Sequence, residues 1–192
     1  MKKRLMMIIA SLCVSSLAQA SWMIEPYAGY QLGTVKTDDI VTPVDSTTGS
    51  LNGTAFGARI GYRFFMPWVA LDYTYLNGTF KPNNSLLNNA DATQSSLAAV
   101  VGVDLPVLFR VWAGYGFMNN LNLKDSVTSI TNKLSGSYTK VGLGWTLLPL
   151  VSLNLEYQMN NYNKLNSNDI KQTYDKFDHN ALMVSVSLPL HF

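Results

Sequence analysis

Apolar and polar residues alternate with a period of two along most of the chain, from Trp22 to the last residue. Such a period puts successive side chains on opposite faces of a strand. Each alternating segment is close to the 9–11 residues that a tilted strand needs to cross a bilayer. We predict eight strands, at residues 22–32, 53–65, 68–77, 94–105, 108–119, 136–147, 150–160 and 180–192.

The connections between these segments alternate in length. Three short turns contain Pro67, Pro106 and Pro149, and a strand–turn–strand unit therefore repeats along the chain. Short turns on one rim and long polar loops on the other are typical of an all-β, eight-stranded, antiparallel up-and-down transmembrane β-barrel. The predicted long loops are rich in Asn, Ser, Thr and Asp and span residues 33–52, 78–93, 120–135 and 161–179.

The polar faces of the strands combine charged residues with many glycines. A narrow barrel interior needs this combination, because large side chains on some strands require small ones opposite. A soluble barrel or sandwich with an apolar interior is the alternative. The membrane barrel places eight charged residues in the lumen as a structural network: Glu25, Arg59, Arg63, Asp72, Asp104, Arg110, Lys140 and Glu156.

Charges in so narrow a space must pair, because an unpaired buried charge costs several kcal/mol. We expect a plugged lumen, and a wet channel whose charges never touch is the alternative. Arg59 is the charge without an obvious neighbour, so we expect it to reach across the lumen to Glu156. The other expected contacts are Arg63 with Asp72 near Glu25, Asp104 with Arg110, and Lys140 with Glu156.

The first twenty residues have the order of a secretory signal peptide. Lys2, Lys3 and Arg4 precede an apolar stretch, and Ala18-Gln19-Ala20 is a typical cleavage site. A signal anchor is the alternative. We therefore predict a cleaved signal peptide at 1–20 and a barrel domain at 21–192. Loss of the three basic residues changes the net charge from +2 to −1, which argues against a nucleic-acid partner.

The opening strand Glu25-Pro26-Tyr27-Ala28-Gly29-Tyr30, the glycine-rich strands and the terminal aromatic residue resemble the small outer-membrane barrels of the OmpA, OmpX and opacity-protein type. The resemblance implies a monomer in the outer membrane of a Gram-negative bacterium, in contact with outer-membrane lipid and lipopolysaccharide. It also implies an assembly signal, read by the barrel-assembly machinery, at Phe192, Leu190 and Leu188. Pro189 departs from that signal because it lacks a backbone donor.

Candidate chemistry is sparse. We place His179 in the last long loop and His191 at the periplasmic mouth, without a Ser–His–acid arrangement, so no catalytic, metal or cofactor residue is predicted. The loop acids Asp38, Asp39, Asp169, Asp175 and Asp178 are expected to keep loops soluble. Aromatic residues at the segment ends predict interfacial girdles; they are Trp22, Tyr30, Phe64, Trp68, Tyr75, Trp145 and Tyr157.

Three functions remain open at this point. The first is a structural or surface-interaction role, in which four extracellular loops meet a possible extracellular ligand. A narrow channel for small or apolar solutes is the second, and a lipid-modifying outer-membrane enzyme is the third. One scaffold can support all of these. We expect both mature termini in the periplasm and the long loops outside.

Overall fold

The computed structural model describes residues 20–37, 47–83, 89–106, 108–125, 131–148, 150–167 and 170–192. No helix within these ranges is long and apolar enough to cross a membrane. Residues 1–19 hold almost all of the predicted signal peptide and lie outside the described residues, so its cleavage stays a prediction. The loop acids Asp38, Asp39 and Asp169 lie outside them too.

The described chain is a closed antiparallel β-barrel, as the alternation predicts. Each of the first seven strands pairs with the next, and the first strand also pairs with the last two, which closes the sheet. The strands are β1 (Ala20–Thr37), β2 (Thr47–Phe64), β3 (Pro67–Pro82), β4 (Ala90–Asp104), β5 (Phe109–Asp125), β6 (Thr131–Leu148), β7 (Val151–Ser167), β8 (Ile170–Ser187) and β9 (Leu190–His191).

Strands β8 and β9 form one closing strand that is interrupted at Pro189. Tyr27 pairs with Ser187 and Ile24 pairs with Leu190, so the register on β1 is the same on both sides of the proline. Beyond it, the backbone N–H and C=O of Phe192 both bond to Trp22, at 3.0 Å each. Pro189 therefore removes one donor from the ladder without shifting the register.

The strands are longer than the alternation predicts, and the predicted loop boundaries are wrong. Pairing continues through 33–37 and 47–52, through 78–82 and 90–93, through 120–125 and 131–135, and from 161 to the Ser167–Ile170 pair. Strands of 15 to 18 residues are well beyond the 9–11 that span a bilayer. These ends were predicted as loops because their outward residues are Asn, Ser, Thr and Lys.

A continuous belt of exposed apolar residues surrounds the part of the barrel nearer to the short turns, and we call this part the inner section. Such a belt is the surface that a membrane barrel presents to lipid. Among its members are Ile60, Leu71, Val101, Val111, Val141, Leu143, Leu155 and Val184, each at least 40% exposed.

Beyond the belt, the strand ends form what we call the outer section, where the two faces of the sheet exchange character. The exposed outward residues are polar, for example Thr34, Asn77 and Asn161. Inward residues at the same level are apolar and buried, for example Val35 and Leu51. The outer section therefore has a polar exterior and an apolar interior, like a water-soluble β-barrel, whereas the inner section has an exterior suited to lipid.

Candidate functional site: the closed lumen

Arg59 is the centre of the lumen of the inner section. It lies directly opposite Glu25 on β1 and Asp72 on β3. Its Nε donates to Asp72 at 2.8 Å and its Nη1 to Glu25 at 3.3 Å, while its Nη2 reaches across the lumen to Glu156 at 3.0 Å. All four side chains are fully buried. One guanidinium thus joins three strands and holds three carboxylates.

Lys140 supplies the second buried cation. Its Nζ lies 2.6 Å from Asp72 and 3.2 Å from Glu156. The same carboxylates accept from neutral donors as well: Tyr27 donates to Asp72 at 2.7 Å, and Trp112 Nε1 donates to Glu156 at 2.9 Å. Buried carboxylates with several donors are stabilised as anions, so this cluster is fixed rather than loosely solvated.

The mouth of the barrel at the short turns carries the remaining charges. Arg110 lies 2.9 Å from Glu25 and 3.4 Å from Asp104, at angles that do not form hydrogen bonds. Arg63, about one third exposed, lies 3.2 Å from Asp104. The Nε1 of Trp68 donates to Asp104 at 3.0 Å. The ionic contacts therefore continue from the buried centre to the edge of the barrel.

The structure corrects one expected pairing, the expectation that Arg59 lacks a near neighbour, and one girdle residue. Arg63 contacts Asp104 rather than Asp72, because Asp72 lies opposite Arg59 in the β2–β3 ladder. Arg59 has two cross-strand neighbours as well as Glu156, since the β1–β2 register also places Glu25 beside it. Trp68 was predicted as a girdle residue but is buried inside the lumen, 1% exposed.

Aromatic rings fill the space between the charges, and sequence reasoning did not find this role. The Arg59 guanidinium lies 4.5 Å from the ring centre of Trp112 and 4.9 Å from that of Tyr27. The polar-face glycines were the signal for it, since a Cβ on Gly142 would overlap the Trp112 ring and one on Gly116 would overlap Tyr138. The glycines make room for flat rings that cover the cations.

A layer of neutral polar side chains lies beside the charged cluster, on its outer-section side. Asn119 accepts from Gln94 at 2.8 Å and donates to Asn160 at 2.8 Å. Asn160 donates in turn to the backbone carbonyl of His179 at 3.0 Å and contacts its ring Nδ1 at 3.3 Å. These residues come from β4, β5, β7 and β8, so the amide chain crosses the lumen.

His179 was predicted in the last long loop, and that placement is wrong. It lies on β8 opposite Val35, fully buried inside the barrel. The hydrogen bonds described for its ring join it to Asn160 and not to a serine. In the described part of the chain no group of three His, Cys, Asp or Glu side chains is placed to hold a metal ion.

Among the described residues, an apolar cluster packs inside the outer section beside the amide layer. It extends from Tyr27 towards the outer end of the barrel, where six strands supply its side chains. A barrel of eight strands has an interior just wide enough for such side chains. The members nearest the outer end are Val35, Leu51, Leu76, Ala92, Leu121 and Leu134, with Phe80 and Leu123 packed against them.

The family comparison agrees with this architecture. Residues 6–188 match the model of a family described as an outer membrane protein beta-barrel domain. No curated protein sequence matches the chain.

Solved structures give the same fold. Neisserial surface protein A is 17% identical, with a TM-score of 0.53, over 88% of this chain and 97% of the other. Ail, the attachment invasion locus protein of Yersinia pestis, is 13% identical with a TM-score of 0.55, over 88% and 98%. The outer membrane protein OprG of Pseudomonas aeruginosa is also 13% identical with a TM-score of 0.55, over 90% and 97%.

Proposed function

This chain belongs to the outer membrane protein beta-barrel domain family, and from that premise we propose that it is a closed barrel with a structural or surface-interaction role at the outer membrane. In this proposal the lumen is a plug, and the interactions that matter take place at the outer end. The names of Ail, an attachment invasion protein, and of Neisserial surface protein A describe proteins of the cell surface. We propose a role of that kind here.

The observation that carries the proposal is the filling of the lumen at two levels. In the inner section, four cations and four carboxylates lie within ion-pair distance of one another. In the outer section, apolar side chains pack across the lumen. An ion or solute would have to break buried ion pairs and then cross an apolar layer, and both steps are costly.

The partners in this proposal follow from the location. The exposed belt contacts outer-membrane lipid, and the polar exterior beyond it contacts lipopolysaccharide. The final residues Leu188, Leu190 and Phe192, of which Leu188 and Phe192 are exposed, engage the barrel-assembly machinery during insertion. An extracellular ligand would meet the outer end of the barrel. The barrel acts as a monomer.

Planar-bilayer recording tests the plug. We expect the refolded wild-type protein to insert without a steady conductance. A stable, large conductance in the wild type would contradict the proposal and support the narrow channel instead.

An epitope tag tests the orientation. A tag inserted between residues 42 and 43 is expected to bind antibody on intact cells, because the outer section faces the exterior. A tag inserted at the Phe65–Met66 turn serves as the matched control and should be reached only after the cells are opened. The opposite result would reverse the orientation.

A further inference from the structure

We propose that a groove on the outside of the barrel, running along β6 between β5 and β7, is a binding site for a phosphorylated glycolipid of the outer leaflet. The groove lies where the apolar belt meets the polar outer section. This inference rests on the proposed position in the outer membrane and adds a specific lipid site to it.

Four register shifts of the sheet lie close together at this place. The β4–β5 and β5–β6 ladders shift between Leu97 and Ala98 and between Gly116 and Asn119. The β6–β7 ladder shifts at Ser135–Gly136, and the β7–β8 ladder shifts at Tyr162–Lys164. Bulges bend a strand and redirect its side chains, and they are frequent beside functional sites. Here the extra residues Phe117 and Asn163 lie on β5 and β7, the two neighbours of β6, at one height.

The bulge on β5 builds one wall of the groove. It turns the consecutive residues Phe117 and Met118 outward together, at 53% and 38% exposure. Tyr115, 56% exposed, continues this wall towards the inner section. On the other side of β6, Met159 is 46% exposed and forms the wall on β7. Both walls are large and apolar, as the acyl chains of a lipid require.

The floor of the groove is small and polar. Thr139 of β6 lies in one row between Tyr115 and Met159. Ser137 follows, opposite Asn161, and Ser135 donates a hydrogen bond to Asn120 at 2.8 Å. The apolar belt therefore ends earlier on β6 than on the strands beside it. The result is two adjoining depressions of about 360 and 380 Å³ that share Tyr115 and Ser137.

Two lysines give the groove its charge. Lys164 lines the outer depression, in one row with Ser135 and Asn120. Lys133 is exposed on β6 two residues further out, opposite Asn122. Among the described residues that line the two depressions, none is acidic. An ammonium group beside amides and hydroxyls, above an apolar wall, complements a head group that carries both phosphate and sugar hydroxyls.

This combination selects one class of ligand. A phospholipid head group would use the ammonium but few of the hydroxyl and amide groups, whereas a phosphorylated, acylated disaccharide uses all of them. Its acyl chains would lie along Tyr115, Phe117 and Met159, and its phosphate would meet Lys164. Lipid A has this chemistry and is the probe for the test.

Native mass spectrometry of the refolded protein in detergent measures the retained lipid directly. We expect the wild type to retain one molecule of bisphosphorylated lipid A. It should bind the dephosphorylated form about tenfold more weakly, because one charged contact is lost. Phosphatidylglycerol at equal concentration should be retained no better than the dephosphorylated form. Equal retention of all three lipids would show non-specific adhesion to the belt and overturn the inference.

Two variants and two matched controls locate the site. Ser137→Phe fills the groove and Lys164→Glu reverses its charge, and each should lower lipid A retention about tenfold or more. Ser95→Phe adds the same ring to the exterior of β4, and Lys81→Glu reverses an exposed lysine on β3. Both controls should bind like the wild type. Equal losses in Lys164→Glu and Lys81→Glu would replace the groove with a diffuse charge effect and contradict the proposal.

Failure of the groove site can be distinguished from failure of the proposed function. Heat-dependent gel mobility shows whether each variant has refolded, independently of lipid binding. A refolded, non-conducting wild type that retains no lipid A overturns the groove site and leaves the proposed function intact. A conducting wild type that still retains lipid A overturns the proposed function and leaves the groove site intact.

Discussion

The inner and outer sections of this barrel share their strands but bury opposite kinds of side chain. The inner section has an apolar exterior, such as Leu143 and Val184, around a charged interior centred on Arg59. In the outer section the exterior carries Lys164 and Asn161, and the interior carries Leu121 and its neighbours. The exchange takes place within single continuous strands.

The difference shows that the medium outside the wall determines what the interior can be. Where lipid surrounds the barrel, the exterior supplies the hydrophobic stabilisation, and the interior can consist of paired charges. Where water surrounds it, the interior must supply that stabilisation through apolar burial. A changed side chain should therefore affect stability and conductance differently in the two sections, and four tests compare them.

The largest effect is expected at the centre of the inner section. Arg59→Ala leaves Glu25, Asp72 and Glu156 with Lys140 and Arg110 as their cations, so the free energy of unfolding should fall by about 3–5 kcal/mol. Urea unfolding in detergent micelles measures it. Single-channel openings should become larger or more frequent, as they should in Glu156→Ala.

Arg63→Ala is the matched control for Arg59, because Arg63 is partly exposed and its pair lies at the mouth. It should cost about 1 kcal/mol or less. If the two arginine variants were equally stable, the buried network would not stabilise the inner section.

The second effect concerns the apolar interior of the outer section. Leu121→Ala opens a cavity among buried residues and should cost about 3 kcal/mol, without raising the conductance, since the charges below stay paired. Met118→Ala, on the exposed exterior of the same strand, is the control and should cost much less. New conductance in Leu121→Ala would mean that the apolar layer is itself the main barrier.

The third prediction compares the exteriors of the inner and outer sections. Leu143→Lys places a charge in the belt and should cost about 2 kcal/mol in lipid, whereas Asn77→Lys, in the outer section, should cost close to nothing. Unfolding in lipid vesicles measures both. Similar costs at the two positions would mean that the belt ends further out than its exposed apolar residues indicate.

The smallest change in stability is expected at the end of the chain. Phe192 is 73% exposed, and its described hydrogen bonds are the two backbone bonds to Trp22. Its deletion should reduce the stability of the refolded barrel by about 1 kcal/mol or less. In cells, outer-membrane levels should fall several-fold, because the assembly signal is lost. Equal losses in both assays would show that Phe192 acts through packing alone.

The sequence determined the inner section almost completely. The alternation of apolar and polar residues is regular on 53–65 and 150–160, because lipid on one side and a narrow interior on the other admit different residues at every second position. The charges on the polar face then had to lie in the lumen. Their number and location follow from periodicity alone.

Only the tertiary structure decided which charges meet and how far the strands extend. Asp72 belongs to Arg59 rather than Arg63 because of the β2–β3 register, which a shift of two residues would change without altering the alternation. In the outer section, polar outward residues around Leu51 or Leu134 have the composition of a loop. They become strands because the neighbouring strands supply the apolar interior against which those leucines pack, and a contact between distant segments leaves no local pattern in the sequence.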